Sequence, residues 1–400
     1  MMHLFFNCLA ASAGSGLTYL RNVVPHLSSR TDIRATIAVR SILKGEFGDT
    51  PNVSWIGVEK DHGAGLRFWH EQAALPRLIR SCGADVLISA GNFALWRSPV
   101  PQILLSGNSL YTSEDFNHDL RSRGDYRLWA DTRIKSVFAK KSVQWSDQTV
   151  APSRSFAEDL RRWTGAPVIS IHHGFDYGTF SKDNTPLSTD AQQKLASAKD
   201  ALRLLFVSHY NYYRNFETLL RAIPLVQERL GKRRVAIFLT CKLRSEDNPG
   251  SYRAESAAAL VQQLGIAEQV VELGGLPYNL LHHLYQACDI YVTPAYTETF
   301  AHPLVEAMAS GLPVVAADLP VHREVCGDAA LYFQRFSSQE LAEQILNLAG
   351  SCELRKELEK RGRVRSRQFS WEKHVDEILG LAALLVQNCE SSLPKRSVTV

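Results

Sequence analysis

The strongest constraint in this chain is a double run of short apolar segments alternating with amphipathic ones. Residues 3–9, 33–39, 85–89, 102–106, 149–151 and 168–172 form brief, largely apolar stretches. Between several of them, at 17–27, 68–81 and 156–163, apolar residues recur at three- and four-residue spacing, and Leu75, Leu78 and Ile79 share one face. Short runs without polar alternation read as strands covered on both faces. Helices between such strands supply the crossovers of a parallel sheet. The pattern stops at 181–200, SKDNTPLSTDAQQKLASAKD, which is polar and reads as a linker plus the start of a helix. It then resumes, with strand-like segments at 203–208, 235–240, 270–273, 290–293 and 314–317 and helical ones at 215–230, 255–264, 280–287 and 303–310. Helical spacing continues over 339–348 and 353–369, and Ser370 can cap a last helix beginning at Trp371. The expectation is two α/β domains, 1–180 and 201–370, joined by 181–200, with a polar, disordered tail over 390–400.

The bulk composition narrows the function classes. Four hundred residues suit two domains, and 45% hydrophobic with 22% charged residues is globular. A net charge of +4 is too small for a dedicated nucleic-acid binder. The seven cysteines contain no CxxC pair and read as reduced thiols. No apolar run approaches the ~20 residues that span a bilayer. The start, MMHLFFNCLAASA, lacks a positive charge and is interrupted by Asn7, so it reads as a first strand rather than a signal peptide. A cytoplasmic location is expected.

The densest signal lies in 289–333. DIYVTP reads as a buried strand, 295–302 as the loop leaving its carboxyl end, and Pro303 as a first helical residue, where a missing N–H is harmless. Gly311 suits a left-handed helix end, and LPVVAA is the next strand. Loops at the carboxyl ends of parallel strands are where open α/β sheets bind ligands. Glu298 lies in this loop and Glu306 in the first turns of the helix. A phosphate favours the same helix start, so the two carboxylates suit hydroxyl groups on either side of it. Taken singly, each is also an ordinary solvated or dipole-pairing charge.

Glu298-TFAHPLV-Glu306-AMASGLPVV, preceded by Gly274 and ACDIYVTP, resembles the E-x7-E signature of the family 4 (GT4) glycosyltransferases. The resemblance is good over 206–333, looser over 151–180 and weakest over the first 140 residues. It implies the GT-B fold: two Rossmann-like domains facing across a cleft, with the C-terminal helix, 371–388, returning to the first. It implies that Glu306 holds the nucleotide's ribose, that Glu298 contacts the donor sugar, and that Thr299, Phe300 and Ala301 offer backbone N–H groups. Leu276 and Pro277 match the segment bordering the base. The family often carries Gly where this chain has Thr299 and Ala301. It also commonly ends the strand before the second site with Gly-Arg and places a Lys a few residues later, the two cations clamping the diphosphate. Here Ser208-His209 and Arg214-Asn215 stand in those places. Arg214 suits a departing diphosphate. A neutral His209 supplies one hydrogen bond, or becomes a cation only with substrate bound.

In the first domain, Gly14-Ser15-Gly16 follows the first strand, but Tyr19 breaks the dinucleotide pattern. By resemblance Gly16 faces the donor, and Gly14, Ser15, Asn108 and His173 the acceptor side; an ordinary tight turn is the alternative for the glycines. His173 lies in HHGFD, which resembles the family's HNGVD element. Residues 121–141 hold Arg121, Arg123, Arg127, Arg133, Lys135, Lys140 and Lys141 among Trp129, Val137 and Phe138. They suit either an anionic membrane surface bearing a lipid-linked acceptor or a solvated helix face.

The chain has no DxD, no HExxH and no cysteine cluster, so no metal and no cofactor are expected. The resemblance implies a retaining hexosyl transfer from a nucleoside-diphosphate sugar to a hydroxyl of a glycan or lipid-linked acceptor, with no nucleic-acid partner. Two rivals stand beside it: a glycoside hydrolase, which also needs two carboxylates, and a non-catalytic GT-B-like nucleotide-sugar-binding protein.

Overall fold

The computed structural model describes residues 1–11, 15–45, 47, 50–58, 64–247 and 252–392. The chain divides into two compact units. The first comprises 1–112, 130–174 and 370 onward; the second comprises 113–129 and 175–369.

The first unit is built on seven parallel strands in the order β3-β2-β1-β4-β5-β6-β7. They are β1 (Met2–Asn7), β2 (Ile33–Arg40), β3 (Val53–Val58), β4 (Val86–Ser89), β5 (Gln102–Leu105), β6 (Gln148–Ala151) and β7 (Val168–Ser170). Strand β3 has no counterpart in the sequence expectations. At the sheet edge its burial is uneven, with Val53 and Trp55 buried in one core and Ile56 and Val58 only partly covered by another, so it lacks the unbroken apolar run that marks a central strand. Strand β1 shows that run clearly, with Leu4, Phe5 and Phe6 essentially inaccessible.

The final helix, Trp371–Ser392, packs on the helix Ser15–Ser28 and belongs to this unit. Trp371, Val375, Ile378, Leu379 and Ala382 supply its apolar stripe. Residues 393–400 of the expected tail lie outside the described residues, while 390–392 end the helix.

The second unit has six parallel strands in the order β10-β9-β8-β11-β12-β13. These are β8 (Leu202–Phe206), β9 (Val235–Leu239), β10 (Val270–Glu272), β11 (Ile290–Thr293), β12 (Val314–Ala317) and β13 (Ala330–Phe333). The polar stretch 181–200 is not simply a connection. It carries the helix Thr189–Ser197, whose N-cap Ser188 accepts from the Ala191 N–H, and it buries Leu187, Ala191 and Ala198 in the second core. Phe180 also lies in that core, and the division between units falls after Gly174 rather than after residue 180. Gly174 is there for space. A side chain on it would run into the Trp371 backbone at 2.0 Å.

Candidate active site

In the second sheet the chain proceeds outward from β8 on one side and from β11 on the other, so the switch point lies between these two neighbours. The loops leaving their carboxyl ends are 207–215 and 294–301. They carry Arg214 and Glu298, and the structure brings the two side chains together as an ion pair between Nη1 and Oε1.

The local sequence explains the placement. Tyr212–Arg214 form one 3-10 turn, closed by Asn215 in the left-handed region at φ 55°. Asparagine tolerates that region better than most residues. Its buried side chain then bridges the loops: Nδ2 donates to the Pro294 carbonyl at 3.0 Å and Oδ1 accepts from the Thr218 hydroxyl at 2.9 Å. The Tyr296 N–H donates to the Tyr213 carbonyl at 3.0 Å, a second tie. Arg214 also lies over the Tyr213 ring at 5.1 Å. Burial works against its charge, but the Glu298 carboxylate outweighs burial and raises the guanidinium above its ordinary value. Its Nε is buried without a hydrogen-bond partner.

Phe300 is buried, its ring edge-on to Phe369 at 5.3 Å, so only its backbone faces the loop. Thr299 is half-buried. Ala301 sits at φ 63°, where glycine is at ease and alanine is strained, immediately before the helix His302–Ala309. That helix ends at Gly311, φ 77°, and Arg363 donates to the carbonyls of Ala309 and Ser310.

Glu306 is more enclosed than its expected ribose contact suggests. It is 3% exposed, accepts a 2.7 Å hydrogen bond from the Tyr285 hydroxyl and faces the Tyr278 phenol. Burial pushes its carboxyl up to about 7, against the pull of the two phenols. Neither tyrosine was singled out from sequence; Tyr278 directly follows Leu276, half-buried, and Pro277, exposed. His209 is an exposed residue near Arg214. Partial burial of the ring and the arginine's charge hold its imidazole below the ordinary value, so it is neutral at pH 7. His322, also missed, is fully buried beside this pair. Its Nδ1 lies 2.7 Å from the Ala317 carbonyl, and its Nε2 has no partner.

The first-unit residues are placed separately. Gly14 lies outside the described residues, as does the Ser15 side chain, although Ser15 begins a helix. Gly16 has a packing reason: a Cβ there would stand 3.1 Å from the Ala11 Cα. Asn108 caps the turn Ser109–Tyr111, accepting from the Leu110 N–H at 3.0 Å. His173 stacks on Trp371 at 5.4 Å, in a cluster with Tyr19 and His374. The basic stretch 121–141 is divided. Arg123 pairs with Asp119 and Glu217 within the second unit, whereas Arg127, Arg133 and Lys141 are exposed. Among the described residues, no group of three His, Cys, Asp or Glu is placed to hold a metal ion, and no helix is long and apolar enough to cross a membrane.

Residues 188–365 match the glycosyl transferases group 1 family model. A D-inositol 3-phosphate glycosyltransferase of Corynebacterium aurimucosum is 26% identical over 249 residues, 60% of this chain and 58% of that protein. The O-antigen chain mannosyltransferase B of Escherichia coli is 33% identical over 113 residues, 28% of this chain and 30% of that one. The first three curated relatives are covered over 58%, 64% and 60% of their own lengths. Among solved structures, sucrose-phosphate synthase from Thermosynechococcus elongatus superposes with TM-score 0.74 at 18% identity, over 98% of this chain and all of that one. The Anabaena protein HepE, solved with UDP, gives 0.70 at 16% identity over 96% and 100%.

Proposed function

We propose that this chain, which belongs to the glycosyl transferases group 1 family through residues 188–365 and carries the GT-B fold, transfers a hexose-type sugar from a nucleoside-diphosphate sugar to a hydroxyl acceptor, with retention and without a metal. The observation that carries the reading is the Arg214–Glu298 pair at the switch point of the second sheet.

An arginine fixed in its charged form meets the charge that develops on a departing diphosphate. Glu298 is its counter-ion in the structure. When the diphosphate takes over Arg214, Glu298 becomes free to accept from a sugar hydroxyl. The sugar–phosphate bond breaks, the acceptor oxygen bonds to the same face of the sugar, and the acceptor's proton leaves with the phosphate oxygen. The neutral His209 offers one hydrogen bond to the diphosphate and gains a proton beside that anion. UDP and UDP-glucose are named as ligands of HepE structures, which favours a nucleotide-sugar donor here.

The acceptor reading rests on one helix, Tyr126–Trp145. It buries the small residues Thr132, Ser136, Ala139 and Ser142 and leaves Ile134 and Val137 exposed. Arg127, Ala130, Ile134, Val137 and Lys141 recur along one exposed face, and exposed Trp69 lies against neighbouring Phe138. An apolar ridge with cations at both ends suits the interface of an anionic bilayer, where a lipid-linked acceptor resides.

A thermal-shift screen of UDP, GDP, ADP and TDP in EDTA tests the donor site. Stabilisation by one nucleotide class is expected. Stabilisation that appears only when a divalent ion is added overturns the metal-free reading.

A further inference from the structure

Helix Glu114–Ser122 follows β5 of the first sheet in sequence, yet it belongs to the second unit. Ser113 caps it, accepting from the Phe116 N–H at 3.2 Å, and Phe116 and Leu120 are fully buried. Its polar face meets both loops of the candidate site. Asp119 accepts from the Tyr296 hydroxyl at 2.8 Å with one oxygen and from Arg123 Nε at 2.8 Å with the other. Tyr296 stands two residues before Glu298. Arg123 in turn pairs with Glu217 at 2.8 Å and lies over the Tyr212 ring at 4.4 Å. The Tyr212 hydroxyl donates to Asp125 at 3.2 Å, and the Phe116 ring stands edge-on to Tyr213 at 6.3 Å. Tyr212 and Tyr213 directly precede Arg214.

One carboxylate–guanidinium pair therefore reaches the 294–298 loop through the Tyr296 phenol and the 209–215 loop through the Tyr212 ring, and its guanidinium also pairs with Glu217 in the helix that follows that loop. Side chains about one-fifth exposed gain little net stability from such a network, because desolvation offsets the attraction. What the bonds of Asp119 and Arg123 do supply is fixed geometry, even though the Glu217 Oε2 is left without a partner. We propose that Asp119 and Arg123 are positioning residues for the transfer reaction, bracing the two loops so that Arg214 and Glu298 face the same reacting centre. The proposal rests on the transferase reading for its kinetic consequence, and on the hydrogen bonds alone for its structural one.

The test compares full-length wild type, Asp119→Asn and Tyr296→Phe, by sugar-nucleotide turnover and by hydrogen exchange of the two loops. Asp119→Asn is expected to lower kcat roughly tenfold or more while KM for the donor stays within about twofold, and to speed exchange in both loops. Tyr296→Phe, which removes one hydroxyl, is expected to do the same mainly in 294–298. Arg123→Lys should not restore the effect of Arg123→Ala, since an ammonium cannot both bridge Asp119 and Glu217 and cover the ring. Faster exchange confined to 113–123, or a KM rise at unchanged kcat, would overturn the brace. If wild type turns over no sugar nucleotide, the transferase reading fails by itself. Exchange then decides the brace: loosening of both loops upholds it, and an unchanged loop refutes it.

Discussion

At position 306 a carboxyl group is enclosed by apolar side chains with a phenol donating to it, and this sets a pH dependence. Its value of about 7 lies above the ordinary 4.5. The folded protein therefore keeps this proton over a window in which the unfolded chain loses it. The associated stability is complete below about 4.5 and is lost as pH rises through about 7, a span worth about 3 kcal/mol. Glu306→Gln should remove most of that decline, so that urea unfolding at pH 5 and pH 8 differs less in the variant than in wild type. An equal difference in both would contradict the enclosure of Glu306. The E-x7-E spacing made the residue itself legible. Its partner Tyr285 was not, because the contact depends on how the helix Leu281–Ala287 rests on the sheet. Gly16 is the converse. Its freedom to approach a ligand was read from sequence, whereas the structure shows its closeness to Ala11.

Single elements carry the next level of function. The loop before His302–Ala309 holds Ala301 in a left-handed conformation, so local strain is tolerated where backbone N–H groups gather at a helix start. The helix Tyr126–Trp145 buries mainly small side chains, together with Val143, and leaves the larger apolar Ile134 and Val137 exposed. If it lies on anionic lipid, full-length protein should sediment with vesicles containing phosphatidylserine and not with phosphatidylcholine alone. Ile134→Glu with Val137→Glu should abolish this without lowering thermal stability, since both side chains are exposed. Equal sedimentation of the double variant would contradict the membrane reading. Charge and aromatic spacing alone marked this region, but they could not separate the braced Arg123 from exposed Arg127 and Lys141. That division depends on long-range pairing with Glu217.

Across the whole molecule, strand and helix alternation was enough to give two parallel α/β units, because buried parallel strands need continuous apolar runs and crossover helices. The edge strand β3 and the assignment of 113–129 to the second unit were not readable, since both depend on packing between segments distant in sequence. The central claim is chemical: Arg214 stabilises a departing nucleoside diphosphate while a sugar is transferred. It is tested most directly by following nucleoside-diphosphate release from UDP-, GDP-, ADP- and TDP-sugars in EDTA, with glycan and lipid acceptor extracts, for wild type and Arg214→Ala. The account predicts release from one donor class, coupled to a product of unchanged anomeric configuration, and slowed roughly a hundredfold or more in Arg214→Ala. No release from any donor, or release that Arg214→Ala leaves untouched, would contradict it.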